Sequence, residues 1–191
     1  AGPAKQRVQL MSSKSLAVAS ERVFRLNETP AVKVSLRNIE KLKVSRYPLD
    51  VEGFFRSRHR MDAIDLLDID LIAPDKTWEV AVKDFSRFRS IQQEIPVEFP
   101  DAKPGAYVVR VEADDWQATT LLVRSDIDVL VESARREVLA YVHSADKKPV
   151  ANAAVLLSDG EKIIATGVTG ADGVFRAKPE GIEKAGNVRA F

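Results

Sequence analysis

Four aspartates crowd a short stretch: Asp62, Asp65, Asp68 and Asp70. On a helix Asp65 and Asp68 would share a face, and a cation would fit between them. No histidine or glutamate completes a ligand set there, so the plain reading is a solvated helix face. His59 and His143 are the two histidines of the chain. They fall in different expected domains, and neither has the partner four residues away that a metal-binding helix shows. His143 shares a predicted strand with Val138, Ala140 and Val142 and points away from their face. A triad assembled from distant residues leaves no local trace, but no Gly-x-Ser-x-Gly elbow and no glycine-rich phosphate loop is present. The chain has no cysteine, which excludes thiolate metal sites, disulfides and a cysteine nucleophile.

Asp159-Gly160 and Asp172-Gly173 raise the question of calcium. A calcium loop needs several oxygen ligands at alternate positions and a closing glutamate. Here each aspartate stands alone beside its glycine, as in a tight turn. Trp78 and Trp116 are candidates for stacking on sugars. Trp78 sits on the apolar side of its strand and reads as core. Trp116, within Ala113-Asp114-Asp115-Trp116-Gln117, reads as part of a polar turn and is the better exposed contact. Arg56, Arg58, His59 and Arg60 form the one concentrated basic patch, read as a solvated strand end or loop, with a docking surface for an acidic partner domain as the alternative; Arg87 and Arg89 form a smaller one. No residue is assigned a catalytic, cofactor-binding or metal-binding role.

These side chains would be held by strands. The 191 residues are 45% hydrophobic and 30% charged, with 29 Lys+Arg against 28 Asp+Glu. That is the composition of a folded chain, long enough for one large domain or two small ones, with no global field to draw nucleic acid. No apolar run reaches a membrane span. Period-two alternation recurs at Val32/Val34/Leu36, Tyr47/Leu49/Val51, Trp78/Val80/Val82, Tyr107/Val109/Val111 and Ile127/Val129/Val131. Each series predicts a strand with one buried face, as a sandwich of two antiparallel sheets requires. Burying three such side chains contributes roughly 5–8 kcal/mol before entropy, so the pattern is explained by folding alone. Met61, Ile64, Leu67 and Leu71 break the rule; their spacing predicts a short helix ending before Pro74.

Two strands meet at the polar hinge Arg124-Ser125-Asp126. The expected domains are residues 1–124 and 125–191, the second with six strands and short for a sandwich of ~100 residues. No secretory signal is visible at Ala1 to Lys5, and Asn187 to Phe191 reads as the start of a strand; a trimmed chain with an incomplete second domain is expected. Within that domain Pro149 marks a loop. Ala153 to Leu157, Ile163 to Val168 and Val174 to Arg176 follow as a meander whose register glycines set, with Ala153 and Ala154 leaving room for a close neighbour.

The order of these motifs resembles one family. Pro104-Gly105-Ala106-Tyr107-Val108-Val109 is similar to the strand entry Pro-Gly-x-Tyr-x-Val of macroglobulin domains. The hinge Val123-Arg124-Ser125-Asp126-Ile127 resembles their Val-Ser-Asp-Leu. Lys148-Pro149-Val150-Ala151-Asn152-Ala153-Ala154-Val155 resembles Gly-Lys-Pro-Val-Ala-Gly-Ala-x-Val, with Asn152 where the pattern prefers glycine. Thr169-Gly170-Ala171-Asp172-Gly173-Val174-Phe175 resembles Thr-Asp-x-Asp-Gly-x-Phe, with Gly170 for the first aspartate. The likeness runs from about Trp78 to Phe175; the first seventy-odd residues match in strand pattern only.

The resemblance implies the N-terminal domains of a bacterial alpha-2-macroglobulin-like protein: an all-β chain of tandem immunoglobulin- or fibronectin-III-like sandwiches, the first with a helical insertion. It implies a protease trap, in which a bait segment is cut and the protein closes around the attacker. It also implies that the thioester many members carry lies outside this cysteine-free chain. These residues would be scaffold, without cofactor. Their partners would be target proteases, reached through the full-length protein, neighbouring macroglobulin domains and envelope proteins, with neither nucleic acid binding nor membrane insertion. The expected location is the periplasm, with an inner-membrane anchor on the longer protein. A carbohydrate-binding or adhesin-like tandem sandwich using Trp116, and a small hydrolase on a sandwich, are the competing readings.

Overall fold

The computed structural model describes residues 2–59, 73–134, 136–180 and 188–191. The helix expected at Met61 to Leu71, with its four aspartates, lies outside them. The chain divides into two compact units. The first is built from the chain up to Leu49 and the later stretch that ends at Arg124. The second comprises Ser125–Phe191 together with the excursion that opens at Asp50.

The first unit begins with a helix, α1 (Gly2–Ser12), that no pattern in the sequence marks. Seven strands follow: β1 (Ser15–Ala19), β2 (Ala31–Arg37), β3 (Lys41–Leu49), β4 (Lys76–Ala81), β5 (Ser90–Pro96), β6 (Gly105–Ala113) and β7 (Trp116–Arg124). They form two antiparallel sheets, ordered β1-β2-β5 and β4-β3-β6-β7. The inward residues of the alternations make the core between them. Val32, Val34 and Leu36 from one sheet meet Leu42, Val44, Val109, Val111 and Leu122 from the other, and Trp78 and Val80 pack at their margin. One side of the sandwich is closed where the chain after β1 reaches β7. Ser20 N–H donates to the Thr120 hydroxyl at 3.1 Å, and Phe24 N–H to the Val123 carbonyl at 2.9 Å.

The alternation at Tyr47, Leu49 and Val51 stops at Leu49. Val51 opens a helix instead, α2 (Val51–Arg58), which groups with the second unit. Asp50 turns the chain: its carboxylate accepts from Gly53 N–H at 3.1 Å and caps the helix. Glu52 in the first turn pairs with Arg56 one turn on, at 2.9 Å. Arg56 is therefore helical rather than at a strand end. His59 closes α2 in the left-handed conformation at φ 57°, its N–H bonded to Phe55 O.

The second unit adds β8 (Ile127–Ser133), β9 (Val138–Ser144), β10 (Ala154–Ser158), β11 (Ile163–Val168), β12 (Val174–Ala177) and β13 (Arg189–Ala190). Its described sheets run β12-β9-β8 and β11-β10-β13. Val138, Ala140, Val142, Val155 and Leu157 form its small core. Phe55 of α2 is buried in this unit and stacks on Phe191, ring centroids 5.4 Å apart. The alternation at Ile127, Val129 and Val131 forms a strand, but its expected inner face is not covered. Val131 reaches the core, while Ile127 and Val129 are exposed and so is Leu130 on the opposite face. β8 lies at the edge of its sheet, and burial there depends on what stands beside it.

Candidate functional site

The residues with chemical potential are dispersed and satisfied locally. Asp159 is an elbow: its Oδ1 accepts from the N–H groups of Glu161 and Lys162, both at 2.9 Å, while Gly160 takes φ 98°. Those two N–H groups hold its carboxyl below the usual carboxylate range, Glu161 contributing most. Asp172 accepts from Val174 N–H at 3.1 Å and pairs with Arg176 at 3.0 Å, and in that order the two lower its pKa. Each aspartate spends its oxygens on its own turn.

Among the described residues no group of three or more histidine, cysteine, aspartate or glutamate side chains converges as a metal site. His143 is buried on the face of β9 away from Val138, Ala140 and Val142, and its Nδ1 lies 2.8 Å from Ser144 O. His59 stands in the same compact unit as His143, not in the other one. Trp116 opens β7 directly after the Asp114-Asp115 turn and is 46% exposed.

What the first unit does build is a buried guanidinium cluster at the end from which the chain leaves. Arg46 on β3 has the inward parity of Leu42 and Val44, and Arg124 on β7 that of Leu122. Both are buried, at 4% and 3% exposure. Their guanidinium carbons lie 4.2 and 4.3 Å from the centroid of the Phe99 ring, and Tyr107 meets that ring edge-on. Arg46 grips the Asp75 carboxylate with Nε (2.8 Å) and Nη2 (2.7 Å) and donates to Glu98 O. Arg124 donates to three backbone carbonyls on two separate segments: Leu26 at 3.1 Å on one, and Asp101 at 2.9 Å and Lys103 at 3.4 Å on the other. A cleft of about 290 Å³ lies beside it. Arg124 is the last residue of the unit. Its side chain thus ties the departing strand to two loops and fixes where that strand ends. Nothing local in the sequence marks this cluster, because the residues it joins lie up to 98 positions apart.

No family model matches the chain, and no curated protein matches it. Solved structures do. The crystal structure of native alpha-2-macroglobulin from Escherichia coli spanning domains NIE-MG1 superposes with a TM-score of 0.61 at 13% identity, covering 93% of this chain and 96% of that one. A second crystal structure of that protein, spanning MG0-NIE-MG1, gives 0.65 at 15%, with 92% of this chain and 60% of that one covered. The fold is that of macroglobulin-type tandem sandwiches.

At this identity the likeness is one of fold, and the macroglobulin-like motifs have backbone reasons in this chain. Asn152, where the pattern prefers glycine, sits at φ 58° in the left-handed region that glycine and asparagine tolerate. Thr169 is buried; its hydroxyl accepts from Ala153 N–H at 2.9 Å and donates to Val150 O at 2.6 Å, clamping the Lys148–Ala153 loop to the end of β11. Gly173, at φ 73°, leaves no room for a side chain: a Cβ there would stand 2.7 Å from Val142 O. Close approach in the meander comes at Gly167, against which the Phe175 ring lies; of the two alanines, Ala153 packs against the core and Ala154 is exposed. At the hinge, the Ser125 hydroxyl accepts from Ile127 N–H at 3.1 Å and donates to Ile127 O at 3.0 Å. No helix among the described residues is long and apolar enough to cross a membrane.

Proposed function

We propose that this chain is a scaffold segment of a bacterial alpha-2-macroglobulin-like protease inhibitor of the cell envelope, acting through contacts of its domains and performing no chemistry itself. The observation that carries the reading is the fold match, which runs across both sandwiches and not only one. The anchoring of Arg124 at the exit of the first sandwich supports a framing role, since such a segment must hold one strand end in place. Neighbouring macroglobulin domains are its partners, and target proteases are reached through the longer protein in the periplasm. The experiment uses the full-length gene product and the isolated chain side by side with a panel of endopeptidases. The full-length protein is expected to protect large protein substrates while small peptide substrates are still cut, and the isolated chain to protect neither. An open reading frame that ends near Phe191, or a full-length protein that protects nothing, would overturn it.

A second reading, glycan binding, is favoured by the exposure of Trp116 beside Asp114 and Asp115. Glycan-array signals on the isolated chain that vanish in Trp116→Ala would support it in place of the scaffold reading.

A further inference from the structure

The loop between β4 and β5 holds an aromatic residue in a conformation that suits glycine. Arg89 N–H donates to Ser86 O at 3.3 Å and closes a tight turn, Ser86-Arg87-Phe88-Arg89. Phe88, its third residue, sits at φ 67°. Glycine and asparagine are favoured there, because a side chain in the left-handed region crowds its own backbone. Burial does not offset that cost: Phe88 is 52% exposed, and Phe85, three residues earlier, is the aromatic of this loop that packs on the core. The turn is nonetheless anchored. Phe88 N–H donates to Asn38 Oδ1 at 2.7 Å, and Asn38 Nδ2 donates to Met11 O at 2.9 Å and Ser13 O at 3.0 Å. The exposed aromatic is thereby tied to the β2–β3 turn and to the end of α1.

Charge around this turn is uneven. Arg87 and Arg89 are exposed, and among the described residues their side chains have neither a hydrogen bond nor an ion pair. Phe85, Arg87 and Phe88 line a cleft of about 520 Å³ together with Lys14, Asn38 and Lys41. The carboxylates on its lining are Glu40 and Asp114, and Asp114 is already ion-paired with Lys14. Asp84, in the same loop, follows Lys83 directly, and Asp115 does not line the cleft. Lys41 and Arg87 are thus two free cations on the wall against one free acid, Glu40, and Arg89 adds a third cation beside the turn.

We propose that the Arg87-Phe88-Arg89 turn and the cleft beside it are a docking site for an acidic segment of a separate partner protein. An apolar side chain of that segment seats on Phe88, and its carboxylates pair with Arg87, Arg89 and Lys41. Aromatic and arginine side chains carry much of the binding energy at protein interfaces. A bilayer or a nucleic acid attracts through summed charge, and this chain has 29 basic against 28 acidic residues. A uniformly negative surface would also meet Glu40 and Asp84, whereas a protein segment sets single carboxylates against the cations and leaves those acids clear. The same turn of a second copy, face to face, would set arginine against arginine. The proposal concerns this chain alone and does not depend on the protease-inhibitor reading.

The test is fluorescence anisotropy with a labelled short peptide alternating glutamate and leucine, titrated with the 191-residue chain, and mapping of amide shifts by NMR. Saturable binding below ~1 mM is expected, with shifts concentrated at Asn38 to Lys41 and Asp84 to Ser90. A peptide with glycine for leucine should bind at least about tenfold more weakly, and one with lysine for glutamate should not bind. Phe88→Asn supplies a residue that suits the turn. It should leave the urea midpoint of the chain unchanged or raised while weakening the peptide at least about tenfold. The double variant Arg87→Gln, Arg89→Gln should weaken binding and flatten its salt dependence. A lower midpoint in Phe88→Asn would show that the ring serves the fold, and would overturn the proposal. So would equal binding of the three peptides, unchanged binding in Phe88→Asn, no saturable binding, or shifts centred elsewhere. Tighter binding to anionic vesicles or to a single-stranded oligonucleotide than to the peptide, or self-association that Phe88→Asn abolishes, would replace the partner segment with that other occupant and overturn it equally.

Discussion

A glycine and an asparagine in the second unit occupy the same left-handed region for different reasons, and substitution separates them. At Gly173 the space is closed as well as the conformation strained, with Val142 O and the Pro149 Cβ both within 2.8 Å of where a Cβ would stand. Gly173→Ala is expected to cost about 2–4 kcal/mol in urea denaturation. Asn152 needs only the conformation, at φ 58°. Asn152→Gly should therefore stay within about 0.5 kcal/mol of the parent, while a β-branched valine there should lose roughly 1–2 kcal/mol. The turn aspartates make a pH prediction. The carboxyls of Asp159 and Asp172 are held below their ordinary value by backbone N–H groups, helped at Asp172 by Arg176. A lowered folded-state pKa means that the bond stabilises the fold above the unfolded value, about 3.9. That contribution is lost as pH falls through the folded value. Carbon-detected NMR titration should place both midpoints below those of free aspartate. Asp172→Asn should flatten the acid limb of the stability curve; a midpoint at or above the free value for either carboxyl would contradict the assigned cause.

Elements differ in how far their sequence determines them. The strands of the first unit were legible because their alternation is both cause and record of burial: Val32, Val34 and Leu36 are apolar because that face meets the other sheet. The Asp-Gly turns were legible because few residues accept their backbone angles. Helix α1 was not, since Val8 and Met11 are exposed and no apolar stripe marks it. Val51 continued a strand alternation and became the first residue of α2, because Asp50 supplies a cap that a period-two count does not weigh. Asp50→Ala should cost about 1 kcal/mol, read as a lower urea midpoint with unchanged slope. The exposure of β8 was not legible for the converse reason: its alternation is that of a strand with one buried face, and its place at a sheet edge among the described residues is set by topology. The Arg46–Asp75 pair was invisible because it joins β3 to the segment before β4, 29 residues on. Its energetics are asymmetric. Asp75→Ala leaves a buried guanidinium without its carboxylate and should cost about 3 kcal/mol, whereas Arg46→Met replaces the charge with a fitting apolar side chain and should cost less. The reverse order in chemical denaturation would show that the guanidinium is solvated through the cleft.

At the scale of the whole molecule, the interleaving of the two units sets how the chain unfolds. A cut at the Arg124–Ser125 hinge would separate two strand sets cleanly but would leave α2 on the wrong fragment, since α2 belongs to the second unit while its sequence interrupts the first. Phe55, 2% exposed and stacked on Phe191, is the side chain through which the helix serves that unit. Both tryptophans, Trp78 and Trp116, lie in the first unit, so tryptophan fluorescence reports that unit alone, while far-ultraviolet circular dichroism reports both. Each unit has its own core, which allows two transitions instead of one. Phe55→Ala removes a buried aromatic and should destabilise the second unit by about 3–5 kcal/mol. In urea, the circular-dichroism curve of the variant should then split, an early component moving to low denaturant while the tryptophan curve stays where the parent has it. If both probes shift together by the same amount, the two units unfold as one cooperative body, and the division at the hinge describes geometry without describing stability.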